Sequence, residues 1–213
     1  MKRLTLHGIR TVAVCLVALL SQVGTGAAQV YDQPQFITPY GETGFGAYFI
    51  IVNEIDDPGG MATYRKAGDV NLGVRGSVVG VSGGHVSLNG GLDVYKQFVE
   101  VSESFPLDVA WVTGFGFGYV SGGCGSDGSG GCGNLRIPAG VSVARQFMSE
   151  DGKWALVPYV SPRVALDIGI SGPGTTVHFD TDLGLEMRFS AQWLLRFGVT
   201  LGFNNALGFG IVF

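Results

Sequence analysis

From Gly41 onward, bulky apolar residues return at every second position along most of the chain. A period of two belongs to a strand whose two faces differ, so the pattern predicts strands and not helices. The first runs over Gly41 to Val52, with Phe45, Ala47, Phe49 and Ile51 on one face. Asn53 to Gly60 reads as a turn by its Asp-Pro-Gly chemistry. Met61 to Val81 reads as one strand, Val70, Leu72, Val74 and Val78 alternating with Asp69, Asn71, Gly73, Arg75 and Ser77. After Ser82-Gly83-Gly84, a third sets Val86, Leu88, Leu92, Val94 and Phe98 against Ser87, Asn89, Asp93, Tyr95 and Gln97. Pro106 to Val120 repeats the pattern, with Leu107, Trp111, Phe115 and Tyr119 opposing Asp108, Gly114 and Gly118.

Beyond a glycine-rich loop over residues 121–134, Leu135, Ile137, Val141, Val143 and Phe147 oppose Arg136, Ser142 and Gln146. Trp154, Leu156, Val160, Val164, Leu166 and Ile168 then oppose Tyr159, Ser161, Arg163 and Asp167, with Pro158 and Pro162 counting against clean pairing. Val177, Phe179, Leu183, Leu185, Met187 and Phe189 oppose His178, Asp180, Asp182, Glu186 and Arg188. Trp193, Leu195, Phe197, Val199 and Leu201 oppose Arg196 and Thr200. The last strand, Leu207 to Phe213, alternates Leu207, Phe209, Ile211 and Phe213 with Gly208, Gly210 and Val212, and ends on an aromatic.

This last stretch resembles the C-terminal strand of bacterial outer-membrane β-barrels, where a terminal Phe and alternating apolar residues mark the chain for the assembly machinery. The resemblance implies an outer-membrane location in a Gram-negative-type envelope, with the outer-membrane lipid and that machinery as partners. It extends to the pattern of most of residues 41–213. The expected fold is all-β, a closed antiparallel up-and-down transmembrane β-barrel. The segments above number nine, whereas bacterial single-chain barrels have an even number of strands. Residues 30–40, which hold Pro34 and Pro39 and alternate poorly, could supply a tenth. If the proline-bearing strand or the first one is misread instead, eight remain; ten is favoured.

Composition agrees with this architecture. Mean hydropathy is +0.32 with 14% charged residues, yet no segment after the N-terminus gathers the ~20 apolar residues of a spanning helix. A closed sheet pairs its own backbone groups, which is what hydrocarbon demands. Met1-Lys2-Arg3, the apolar run Thr11 to Leu20 and Gly26-Ala27-Ala28 read as a secretory signal peptide over residues 1–28. Cys15, inside that run, lacks the small residues that precede a lipidated cysteine. Removal of the signal leaves 10 basic against 17 acidic groups, so no basic patch points to nucleic acid. Residues 29–40 form an N-terminal segment and 41–213 the barrel.

Two observations place the apolar set on lipid. The opposite set is rich in glycine and poor in lysine, a poor surface for water. The large aromatics Phe98, Phe147, Trp154, Phe189, Trp193 and Phe213 gather at one end of the barrel, as a girdle at the bilayer boundary would. Lys96 and Arg145 stand in the apolar register near that end, where long side chains reach the interface. With Phe213 in the periplasm, the loop of Cys124 and Cys132 faces outward. No histidine accompanies these cysteines and only Asp127 lies nearby, so a disulfide is the expectation and a metal site is not.

The inward set is then charged: Asp69, Asp93, Asp108, Asp167, Asp180, Asp182 and Glu186 against Arg75, Arg136, Arg163, Arg188 and Arg196. Such groups need partners, because an isolated buried charge costs several kcal/mol. With Tyr95 and Tyr159 they would largely fill a narrow lumen. Two groupings invite catalysis. His178, Asp180 and Asp182 share one face, in an arrangement similar to that of the omptin outer-membrane proteases; those draw four residues from several strands and build taller walls. His85-Val86-Ser87 resembles the His-x-Ser of lipid A deacylases, but both residues fall on the lumen register and the acid partner would have to be Glu100. Both are read as lumen hydrogen-bonding groups. The expectation is a monomeric, non-enzymatic envelope-structural or surface-interaction protein without cofactor and with a largely plugged polar lumen. A narrow passive, porin-like channel for small solutes and a lipid- or peptide-processing enzyme are the alternatives.

Overall fold

Ten antiparallel strands close on themselves in the computed structural model. They are β1 (Gly44–Val52), β2 (Pro58–Lys66), β3 (Asn71–Val81), β4 (His85–Val99), β5 (Asp108–Cys124), β6 (Gly130–Ala144), β7 (Ala155–Gly169), β8 (Thr175–Arg188), β9 (Leu194–Leu201) and β10 (Ala206–Val212). Each pairs with its neighbour in sequence, and β1 pairs with β10 from Gly46↔Val212 to Val52↔Ala206. Phe45 and Phe213 extend that seam, each donating its N–H to the other's carbonyl at 2.8 and 2.9 Å. The structure describes residues 33–52, 58–81, 84–124, 130–170, 174–189, 193–202 and 205–213. The signal segment 1–28 with Cys15, and Asp127 in the cysteine loop, lie outside the described residues, as does the side chain of Cys124.

The strand count is ten, but residues 33–40 do not supply the tenth. The span 61–81 is two strands, β2 and β3, joined by a turn at 67–70. The turn is held where Asn71 Oδ1 accepts the Gly68 N–H at 3.2 Å and Thr43 Oγ1 accepts that of Ala67 at 3.0 Å. Even-numbered residues face outward on both sides of it (Tyr64 before, Leu72 after), so the alternation passes through the turn without a break. Asp69 consequently sits exposed in the turn and not in the lumen.

Two other features differ from expectation. The ladder between β5 and β6 continues into the glycine-rich stretch, pairing Val120 with Cys132 and Cys124 with Gly130, so much of 121–134 is strand. Glycines carry no side-chain alternation to read, and the ladder shifts register between Val120 and Cys124 as it passes through them. Strand β7 also accepts its prolines, with Pro158 opposite Leu185 and Pro162 opposite Thr181 on the β8 side. On the β6 side the ladder skips from Gly140↔Arg163 to Val143↔Val160, which is where the missing Pro162 donor would fall.

Burial is inverted relative to a water-soluble barrel. Val74, Leu92 and Phe209 stand 47%, 52% and 50% exposed on the outer face, while Arg65, Arg136, Arg196 and Glu186 inside are at most 2% exposed. Phe98, Phe147, Trp154, Phe189, Trp193 and Phe213 are all exposed, at the end of the barrel where β1 starts and β10 finishes. Phe189 and Trp193 stack there at 5.0 Å, and the Arg145 guanidinium lies 5.2 Å from the Phe147 ring centre. Cys132 and the end of β5 mark the opposite mouth.

Candidate functional site: the occupied lumen

Residues 33–39 are buried inside the barrel, and the chain leaves at Tyr40 and Glu42 beside the Phe213 mouth before turning into β1. This inner segment has no strand partner, so its backbone is satisfied by side chains from the wall. Arg65 donates from Nη1 to the Phe36 carbonyl at 2.8 Å and from Nη2 to that of Gln35 at 2.6 Å. Ser142 Oγ donates to the Ile37 carbonyl at 2.7 Å. The Gln35 N–H donates to Asp182 Oδ2 at 3.1 Å, and Tyr40 Oη donates to Asp108 Oδ2 at 2.5 Å.

Phe36 anchors the segment. Its ring stacks on Tyr48 at 4.4 Å and lies over Gly198 and Gly208. A Cβ at those glycines would stand 2.9 and 2.7 Å from the ring, so only a bare backbone admits it. Around it Ile50, Val52, Met61, Val79, Leu194, Ala206 and Val212 form an apolar cluster. One side of the interior is therefore greasy, a departure from a uniformly polar lumen. Phe36 also holds φ at +53°, the left-handed region that non-glycine residues seldom occupy. Packing of the ring outweighs that backbone cost.

The expected charges line the rest of the wall. Arg136 binds Asp167 through two hydrogen bonds, at 2.8 and 3.1 Å, and also contacts His178. His178 Nε2 lies 3.0 Å from Asp167 Oδ2 and 3.9 Å from Asp180 Oδ2. Arg163 pairs with Asp182, which also accepts Thr200 Oγ1 at 2.7 Å, and Arg163 Nε lies 3.8 Å from Asp180. Arg75 stands 3.6 Å from Asp93. Asp108 accepts Gln97 Nε2 at 2.8 Å and the Val101 N–H at 3.0 Å, beside the mouth. Glu186 receives Arg188 on one oxygen and Arg196 on the other, the latter at 2.7 and 2.5 Å. Tyr95 and Tyr159 are buried among these groups.

Arg65 and Glu42 belong to the same network and were not among the expected lumen charges. Glu42 Oε1 accepts Arg65 Nη1 at 2.8 Å and Arg196 Nη1 at 2.6 Å, and Oε2 accepts Arg196 Nη2. Arg65 stands in the same odd-numbered register as Arg75, and Glu42 in the even register of Tyr48, so parity held the signal for both. Outside the lumen, in the turn after β6, Ser149 Oγ donates to Asp151 at 2.7 Å and holds that carboxyl below its usual value.

Of the two groupings, His178 lies beside Asp180 and also Asp167, while His85 and Ser87 stand far along β4 from Glu100. His85 sits at the start of β4 and Glu100 just past its end, 15 residues apart at about 3.3 Å per residue. Ser87 accepts a 3.1 Å hydrogen bond from Asn89. Asp182 is engaged by Arg163, Thr200 and Gln35. Among the described residues, no three His, Cys, Asp or Glu side chains are placed to hold a metal ion.

Fold and interior together define a small, closed, inverted barrel whose lumen holds a segment of its own chain. No family model and no curated protein matches the sequence. Among solved structures, it is similar to a bacterial polysaccharide outer membrane secretin at a TM-score of 0.48 and 11% identity, over 75% of this chain and 57% of that one. It is also similar to a de novo designed transmembrane β-barrel (TM-score 0.35, 14% identity, 83% and 98% covered) and to the KdgM porin (0.37, 10%, 80% and 98%). At these values they are likenesses of strand arrangement, and nothing of those proteins' activity transfers. The chain spans little more than half of the secretin chain.

Proposed function

We propose that this chain is a monomeric outer-membrane β-barrel protein of a Gram-negative-type envelope, non-enzymatic, with a lumen sealed by its own residues 33–40. Its role is envelope-structural or in surface interaction. The carrying observation is the inversion: leucines, valines and phenylalanines exposed around the outside, arginines and carboxylates buried and paired within. In water that arrangement would expose an apolar belt far beyond what a soluble monomer shows. In a bilayer it is the favourable one.

In this reading residues 1–28 are a cleaved secretory signal and the Phe213 end faces the periplasm. The last strand, which closes the seam with β1, is the part offered to the assembly machinery. The β5–β6 hairpin then points outward, and we propose that Cys124 and Cys132 are joined there. Both cysteines stand in the ladder itself, Cys132 opposite Val120 and Cys124 opposite Gly130. A disulfide closing so short a loop would add roughly 2–3 kcal/mol in the chain-entropy model.

Sealing is tested in planar lipid bilayers. The intact protein is expected to insert without current steps, whereas deletion of residues 33–40 is expected to give them. Steady steps from the intact protein would favour the narrow channel and remove the sealed reading. Hydrolysis of lipid A or of peptide by the purified barrel would remove the non-enzymatic one.

A further inference from the structure

We infer that Arg65 and Arg196 form a carboxylate-binding site in the lumen, occupied in this chain by Glu42, and that a small free organic carboxylate takes the same place when Glu42 is absent. The inference rests on the reading of residues 33–40 as a lumen segment held by the wall. The two guanidiniums converge on one carboxyl group, Arg65 from β2 and Arg196 from β9, sharing Oε1 of Glu42 while Arg196 alone takes Oε2. Arg196 presents two nitrogens to it, the forked geometry that suits carboxylates. Arg196 also binds Glu186 at 2.5 Å, and Tyr48 Oη accepts from Arg196 Nη1 at 3.3 Å.

Both arginine side chains are all but closed to solvent, at 2% and 1% exposed, while that of Glu42 is 10% exposed. Glu42 therefore lies on the path from the mouth to the arginines, and shortening it opens that path. Its backbone belongs to no strand, lying between the inner segment and Gly44 at the start of β1. The ligand can thus be exchanged without disturbing a ladder. Arg65 also holds the carbonyls of Gln35 and Phe36. Occupancy of the site and seating of the inner segment are consequently coupled through one side chain.

The test compares wild type and Glu42→Ala, refolded in detergent micelles, in sodium acetate and in sodium chloride at matched ionic strength. The thermal midpoint of Glu42→Ala should lie below wild type and rise by about 2–4 °C at saturating acetate. Chloride should not raise it, and wild type should respond to neither salt. Adding Arg65→Met to Glu42→Ala should abolish the acetate response. Where Glu42→Ala fails to fold in chloride, the folded fraction on a heat-modifiable gel replaces the midpoint, and acetate should restore it. An equal response to acetate and chloride, or an acetate response that survives Arg65→Met, overturns the site. Bilayer currents from wild type report separately on sealing, so each reading stands or falls on its own measurement.

Discussion

Replacing Arg196 with methionine is expected to destabilise the barrel by about 3–5 kcal/mol. Arg196 is 1% exposed and serves two carboxylates, Glu186 on β8 and Glu42 at the base of the inner segment. Methionine fills much of the volume but takes two charge-assisted hydrogen bonds from each of the two buried acids. Arg65 still reaches Glu42 and Arg188 still reaches Glu186, so the loss falls short of two isolated charges. Denaturant unfolding in lipid vesicles, followed by tryptophan fluorescence, measures it. A variant as stable as wild type would mean that water reaches these groups and that the lumen is not closed around them.

Leu92→Arg, on the outer face near the centre of β4, is expected to cost about 2–4 kcal/mol. Leu92 is 52% exposed and has its cross-strand neighbours Val74 and Phe115 on the same apolar surface. A guanidinium there has hydrocarbon around it and several ångströms to travel to either interface. The same substitution at Lys96, already cationic and exposed near the aromatic end of β4, should change stability little. Vesicle unfolding of the two variants side by side gives the difference. Equal effects would argue that the outer face is not buried in lipid.

Most of the barrel could be read from the chain because lipid-facing and lumen-facing residues alternate with a strict period of two. Asp93, Asp108, Arg136, Arg163, Asp167, Asp180, Asp182, Glu186 and Arg196 are buried inside as their parity predicts. The turn at 67–70 stayed hidden because it joins β2 to β3 without shifting that parity. The outer face of strand β1, Phe45, Ala47, Phe49 and Ile51, was legible although its alternation is weak. Ala47 to Val52 is apolar at every position, since its outer face belongs to the exposed apolar belt and its inner face meets Phe36. A strand buried on both sides loses the alternation that reveals its faces.

The inner segment was illegible because it has no period at all. Its conformation is dictated by partners far off in sequence: Asp182 for Gln35, Ser142 for Ile37, Asp108 for Tyr40. Glu42 and Arg196 stand 154 positions apart, a link that exists only once the barrel has closed. The histidine groupings show the converse. Closeness in sequence placed His178, Asp180 and Asp182 on one face, and folding then set Asp182 against Arg163 and Asp180 among Arg163, Arg136 and His178.

A nitroxide at residue 74, introduced through Val74→Cys in a Cys124→Ser, Cys132→Ser background, tests the inverted arrangement most directly. In vesicles, its collision rate with dissolved oxygen should far exceed that with a water-soluble nickel chelate. A label more accessible to the chelate than to oxygen would put this face in water and contradict the account.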